Sequence, residues 1–479
     1  MKRLLCFLVG IACFLSFVKE IPAKEALTLT LQDAIALAVR DNPNVQQTKL
    51  SYLSQKYHLY VEHWEFYPHY AFQATATRGQ DGIDKDVFTG SNNYTIQPGA
   101  SLVTPIGTKV ALTSMNIQAG NFKPGLSLQV LQPLMRGFGK AVVEAALNDA
   151  KDSEKTSRLS IEGTLRGTVT AVINAYLDVV NAERTVVIDQ EALKRAEKSV
   201  QQTTLYIKAG HLPGNELITV RANVASAKTQ LENDKNNLLQ SRYALLKAIG
   251  VDPDIPVTFS ALDVATLIKA YSLPPIQRVK TLTLENDTQY QTDQILLSGS
   301  TSRALLIAKD NARWRLDVTA TASAGSRESN NTRLRNLFNK DNQEESIVVA
   351  LEVPINDQAA KAAIVNAEIA IKNAKIGLKQ EKWEKETNAI NGWNRVVSAK
   401  RAYAYATDAE QLQEKTYNVS YKKYLHGLID GLELQTAQLQ LIDAQQTLLS
   451  AKLTYLKALV DLDFLTGQTL KTWNVEVRL

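Results

Sequence analysis

Residues 210–250 read GHLPGNELITVRANVASAKTQLENDKNNLLQSRYALLKAIG, and residues 427–467 read GLIDGLELQTAQLQLIDAQQTLLSAKLTYLKALVDLDFLTG. Set 217 residues apart, the two stretches align without a gap. Gly210 meets Gly427, Gly214 meets Gly431, Glu216 meets Glu433, Thr219 meets Thr436 and Gly250 meets Gly467. A repeat this long describes two similar halves, not an array of small solenoid units.

Both copies carry heptads. In the second, Leu434, Leu441, Leu448, Tyr455 and Leu462 alternate with Ala437, Ala444, Ala451, Ala458 and Leu465. In the first, Leu217, Val224, Leu231, Leu238 and Leu245 keep the register with Val220, Ala227 and Ala248, while Asp234 and Ser241 interrupt the row of small residues. Spacing of this kind predicts a helix committed to a coiled-coil partner along its length, and alanine in the second row lets the partner come close.

Working outward, each heptad helix is preceded by a glycine-containing turn, at 209–216 and at 425–433, and each turn by a long proline-free helical stretch, from about 140 and from about 356. A helix of about 65 residues is about 100 Å long, so a hairpin built from it must project from any compact domain. Before each long helix the period changes to two. Tyr70, Phe72, Ala74 and Ala76 alternate with polar residues, as do Leu126, Leu128 and Val130, and in the second half Leu316, Val318, Ala320 and Ala322, then Ile347, Val349 and Leu351. We expect strands over about 69–132 and 316–354, with a polar loop from Gly79 to Asn93 and further strand-like pieces around Pro105-Ile106-Gly107. A soluble β-sandwich would read in nearly the same way. Trp64, Phe66, Tyr67 and Tyr70, where helix gives way to strand, and Trp314 at the matching place in the second half suit a membrane–water interface, or an ordinary apolar cap.

The bulk properties narrow the field. The chain has 479 residues and 45% hydrophobic content, enough for a substantial core. Its net charge of +5 is small for this length, and no basic block lies among aromatics, which excludes a nucleic-acid role. Lys2 and Arg3, the apolar run Leu4 to Val18 and the polar start at Lys24 have the layout of an export signal cut near Ala23; an uncleaved anchor is the alternative. Both cysteines, Cys6 and Cys13, fall inside that segment, so the exported chain would have no disulfide. Lipidation of Cys13 stays open, although Gly10 fits that signal poorly. No later run is long and apolar enough for a transmembrane helix, so the only route into a membrane is a closed β-barrel. The strands of one chain are too few to close one, and open edges cannot face lipid, so closure needs several copies.

No catalytic, cofactor or metal constellation is expected. His58, His63, His69, His211 and His426 lack zinc-site spacing, and Gly137-Phe138-Gly139-Lys140 lacks the rest of a phosphate loop.

The order of elements, the start Leu29-Thr30-Leu31-Gln32-Asp33-Ala34-Ile35-Ala36-Leu37-Ala38, the run Gln132-Pro133-Leu134-Met135-Arg136-Gly137-Phe138-Gly139 and the two tip turns resemble the TolC-type outer-membrane efflux family. The resemblance covers Leu29 to Gly467. It implies a mainly α fold with a β-barrel part: duplicated helix-strand-helix hairpin halves, and a trimer with four strands per copy in a twelve-stranded outer-membrane barrel continuous with a long periplasmic α-helical coiled-coil tunnel. The first strand region is longer than one strand-loop-strand needs, which leaves the strand count of the first half open. The resemblance also implies an exit duct of a tripartite efflux pump or type I secretion system, with a periplasmic adaptor, an inner-membrane transporter and outer-membrane lipid as partners. On the same ground Glu433 and Glu216, each six residues after its tip glycine, would narrow the periplasmic entrance; solvated glutamates at a helix start are the alternative. Gly210, His211, Leu212, Gly427, Leu428 and Ile429 are the adaptor-contact candidates, or pack their own turns.

We therefore expect a signal over 1–23, a first repeat over 24–250, a linker over 251–284, a second repeat over 285–467 and a tail over 468–479. The rival is an exported coiled-coil scaffold or adaptor with soluble β modules and no channel.

Overall fold

The computed structural model describes residues 27–84, 87–115, 125–211, 213–255, 257–260, 271–325, 343–426 and 428–476, with positions 264, 267, 268 and 340 besides. The expected signal segment lies outside the described residues. The first half comprises β1 (Leu27–Leu29), α1 (Leu31–Asp41), α2 (Pro43–Trp64), β2 (His69–Asp84), β3 (Val87–Val103), β4 (Lys109–Met115), β5 (Gly125–Pro133), α3 (Lys140–Val143), α4 (Ala145–Lys208) and α5 (Glu216–Ile249). After β6 (Val257–Phe259) come α6 (Ile276–Asn286), α7 (Thr288–Leu296), α8 (Ser302–Asn311), β7 (Arg315–Gly325), β8 (Gln343–Glu352), α9 (Gln358–Leu425), α10 (Gly431–Leu465) and α11 (Thr469–Thr472). The chain forms two units, one from residues 1–46, 165–279 and 389–478, the other from 47–164 and 280–388.

The first unit is helical. Thr30 and Asp33 form a reciprocal capping box that starts α1. Asn42 then ends α1 and restarts the chain, its Oδ1 accepting from the Asn44 and Val45 amides ahead of Pro43 at the first position of α2. The heptads do what their period requires. Leu434, Ala437, Leu441, Tyr455, Ala458 and Leu462 of α10 are buried, and Gly392 of α9 lies so close that an added Cβ would sit 2.7 Å from Leu465 Cδ1. Tyr176 is fully buried, and its hydroxyl donates to the Ser260 carbonyl at 2.7 Å, with the Leu29 carbonyl at 3.3 Å. It thereby ties α4 to the small parallel pair of β1 and β6, so part of the proline-rich linker has a fixed place. Burial pushes that phenol up to about 12.

The repeat ends in matching turns. At Gly250 the Val251 amide donates to Leu246 O and the Gly250 amide to Lys247 O; at Gly467 the same bonds run from Gln468 to Asp463 O and from Gly467 to Phe464 O. Both glycines have positive φ, +88° and +70°, as a Schellman turn demands.

The second unit holds one antiparallel sheet of six strands in the order β2-β3-β4-β5-β7-β8. This corrects the four strands per chain implied by the resemblance: among the described residues the first half gives four to this sheet and the second two. The stretch Gly79 to Asn93, expected as a loop, continues the β2–β3 ladder where it is described, with Gly79 opposite Ser91, Gln80 opposite Gly90 and Gly82 opposite Phe88. Ladder bonds join backbone groups, so polar side chains do not end them. Pro105-Ile106-Gly107 is the turn between β3 and β4, closed by the Gly107 amide on Thr104 O at 2.9 Å. Elsewhere in this unit Arg303 of α8 is held between Asp149 and Asp152. Asp152 passes the buried Gly299 in a π-helical segment, Leu297–Thr301, where an added Cβ would collide with it. No described helix is long and apolar enough to cross a membrane.

Candidate functional site

Residues paired across an antiparallel ladder project to the same face, so the registers sort the sheet into two surfaces. One row runs Leu102, Val110, Val130, Ala320, Ile347, and the next Tyr70, Ala100, Leu112, Leu128, Ala322, ending at Glu345. The opposite face has rows Ser101, Ala111, Gln129, Thr321, Ser346 and Ala71, Gly99, Thr113, Ser127, Ser323. One surface is thus aliphatic and aromatic, and the other is rich in hydroxyls and amides. Leu131 and Val348 are apolar members of the second.

The apolar face is bare in the single chain. Tyr70 is 82% exposed, Phe72 71% and Ile347 76%. An exposed apolar surface this extensive marks a membrane or partner contact. The strands have the right length for lipid, since a tilted spanning strand takes about 9–11 residues and β5, β7 and β8 have 9, 11 and 10.

The expected interface aromatics gather at one end. Trp64 closes α2, Phe66 and Tyr67 form the turn into β2, and Tyr70 is on its apolar face. Trp64 stacks on Tyr67 at 5.6 Å and meets His69 edge-on at 6.1 Å. Trp314 immediately precedes β7. β2 and β7 are first and fifth in an antiparallel series and run the same way, so both groups stand where their strands begin, at the same end of the sheet.

At the helical tips, Gly210 has φ +79°, and the His211 amide donates to Tyr206 O at 2.9 Å. The bond at the equivalent positions of the second tip, Leu428 to Lys423 O, is also 2.9 Å. Gly427 and Leu212 lie outside the described residues. His211 is exposed and edge-on to Tyr206, Leu428 is 72% exposed and Ile429 half-buried. Asp430 caps α10 by accepting from the Glu433 amide at 2.8 Å, and the Glu433 side chain is exposed. Glu216, half-buried at the start of α5, reaches α10, its Oε2 being 3.3 Å from where a Cβ on Gly431 would sit.

A second acidic pair emerges only in three dimensions. Asp189 of α4 and Asp234 of α5 are 4% and 9% exposed and face one another. Asp234 accepts from Gln230 at 2.7 Å and Asn237 at 3.1 Å, whereas Asp189, besides Asp234, has a long contact from Gln446. Burial, then the neighbouring Asp234, pushes Asp189 up to about 7. Asp234 is also raised by burial but ends below its usual range because Asp189, Gln230 and Asn237 bond to it. Asp189 lines a cavity of about 460 Å³ with Gln230, Gln435 and Gln438. The sequence signal for this pair was Asp234 itself, a charge standing in the small-residue row of a heptad seam. β4 falls among the strand-like pieces expected around Pro105-Ile106-Gly107, its Val110 and Leu112 alternating with Ala111 and Thr113.

Residues 307–468 match the family described as outer membrane efflux protein. That match is confined to α8, β7, β8, α9 and α10 with their flanking residues. Among solved structures, the CmeC outer membrane channel of Campylobacter jejuni is similar at 15% identity and a TM-score of 0.69, over 95% of this chain and 90% of that one. The open-state MtrE outer membrane channel of Neisseria gonorrhoeae gives 17% and 0.68 over 92% and 89%. The outer membrane protein VceC of Vibrio cholerae gives 14% and 0.64 over 93% and 97%. A comparison with curated proteins finds no match. The fold of these outer-membrane proteins therefore spans nearly the whole chain, while the sequence match falls in the second half.

Proposed function

We propose that this chain is the outer-membrane exit duct of a Gram-negative tripartite efflux pump or type I secretion system. The observation that carries the reading is the segregated sheet, apolar on one face and hydroxyl- and amide-rich on the other, with strands of spanning length. A wall of this kind meets lipid outside and water within. Its free edges require other copies, and three is the number implied by the family resemblance. The duct is passive and takes its energy and its cargo from an inner-membrane transporter.

An export signal over 1–23 and the repeat boundaries given above belong to this proposal, as does a large periplasmic part. The tips dock to a periplasmic adaptor through His211, Leu428 and Ile429, with Gly210 forming its turn; Leu212 and Gly427 are the remaining contact candidates. Glu433 and Glu216 narrow the entrance and favour cations by Coulomb attraction in a poorly hydrated neck. Exposure of Glu433 and the approach of Glu216 to Gly431 support this placing.

The test is fractionation and native mass of the detergent-extracted protein, with export measured in a strain lacking it. A trimer in the outer membrane, and export lost on deletion, are expected. A monomer or dimer in the soluble periplasm would overturn the duct in favour of a coiled-coil scaffold.

A further inference from the structure

The hairpin of β3 and β4 adds two strands to the pattern implied by the family resemblance, and we propose that it is part of the membrane wall, so that three copies close an eighteen-stranded barrel. The inference rests on the duct reading above. Its first support is the ladder. β3 and β4 are hydrogen-bonded on both sides, to β2 through Ala100 and Tyr70 and to β5 through Leu112 and Leu128, with no break in the sheet. A hairpin folded away from the wall would leave β2 and β5 paired to one another.

The second support is chemical. The apolar face of the outer strands passes through the hairpin at Ile96, Leu102, Val110 and Leu112, and the polar face through Gln97 and Thr113. Lipid on one side and water on the other select this segregation. A hairpin standing in water above the membrane has no use for it.

The third support is direction. Six strands in an antiparallel series leave β2 and β8 at the edges running opposite ways. β8 of one copy can then pair with β2 of the next and continue the antiparallel order, which an odd number could not do. The partner at each edge is thus a second copy of this chain. Barrel diameter grows roughly in proportion to strand number, so the wall would be about half again as wide as a twelve-stranded one.

The experiment uses single cysteines in the full chain, at Leu112→Cys and Thr113→Cys on β4 and at Ala320→Cys and Thr321→Cys on β7. Each carries a fluorophore and is exposed to nitroxide quenchers attached to lipid chains, in vesicles holding the assembled protein. The parent chain gives the background, since Cys6 and Cys13 fall in the segment read as a removed signal. All four positions lie on strands not buried in the single chain, and native mass gives the copy number. Expected is quenching severalfold stronger at Leu112→Cys than at Thr113→Cys and at Ala320→Cys than at Thr321→Cys, in a complex of three copies. If the β7 pair discriminates and the β4 pair does not, the hairpin lies outside the wall and this inference fails while the duct stands. If neither pair discriminates, both fail. Discrimination by both pairs in a complex of two copies would mean twelve strands and would overturn the eighteen.

Discussion

Replacing Asp189 by asparagine should make the helical unit less sensitive to pH. In the folded chain the carboxyl of Asp189 holds its proton up to about pH 7, against an ordinary value of 3.8. The folded state therefore binds more protons than the unfolded state between those limits, and stability falls as pH rises through that window. At about 1.4 kcal/mol per tenfold change in proton affinity, Asp189 alone is worth on the order of 4 kcal/mol. Asp234 has its affinity lowered by the same shared proton and offsets part of this. In Asp189→Asn the new amide can donate to Asp234, and its oxygen can still accept from Gln446. Amide exchange in segments 180–200 and 225–245 reports the local opening free energy without unfolding the sheet. Between pH 5 and pH 8 the native chain should lose about 2 kcal/mol of protection relative to the variant. Equal pH slopes in both proteins would refute the shared proton.

Gly250→Ala should lower stability by 2 kcal/mol or more, since a left-handed alanine costs about 1–2 kcal/mol and its Cβ would lie 2.8 Å from Asp41 O and 2.9 Å from Asn42 Cα. Gly167→Ala, with open space around it inside α4, should be neutral or stabilising by up to about 1 kcal/mol; melting curves of the two variants compare them directly. Ala320→Arg on the apolar face should weaken assembly by about 2–4 kcal/mol, and Thr321→Arg on the polar face by far less, read as the folded fraction in outer-membrane preparations. Joint Glu433→Gln and Glu216→Gln should reduce cation preference in planar-bilayer reversal potentials. An unchanged potential would leave both as ordinary helix-start glutamates.

Much of the helical part was legible because its rules are local. The heptads of α5 and α10 and the tip turn at Gly210 each depend on a handful of consecutive residues, and the duplication made every such reading twice. The sheet was less legible. Gly79 to Asn93 looked like a loop because its composition is polar, yet a ladder is joined through backbone atoms and tolerates such residues. β4 was expected only as one of several strand-like pieces around Pro105-Ile106-Gly107, and their number stayed open because its run is short.

The sequence by itself determined the periods, the turns and the two-fold repeat, since 3.6- and 2-residue spacing and the φ available to glycine act within a few residues. Tertiary structure alone decided that β5 pairs with β7 across the halves, that Asp234 meets Asp189, and that Tyr176 bridges Leu29 and Ser260. Those contacts join segments far apart in the chain, and their energy comes from burial and hydrogen bonding between surfaces that no local pattern specifies.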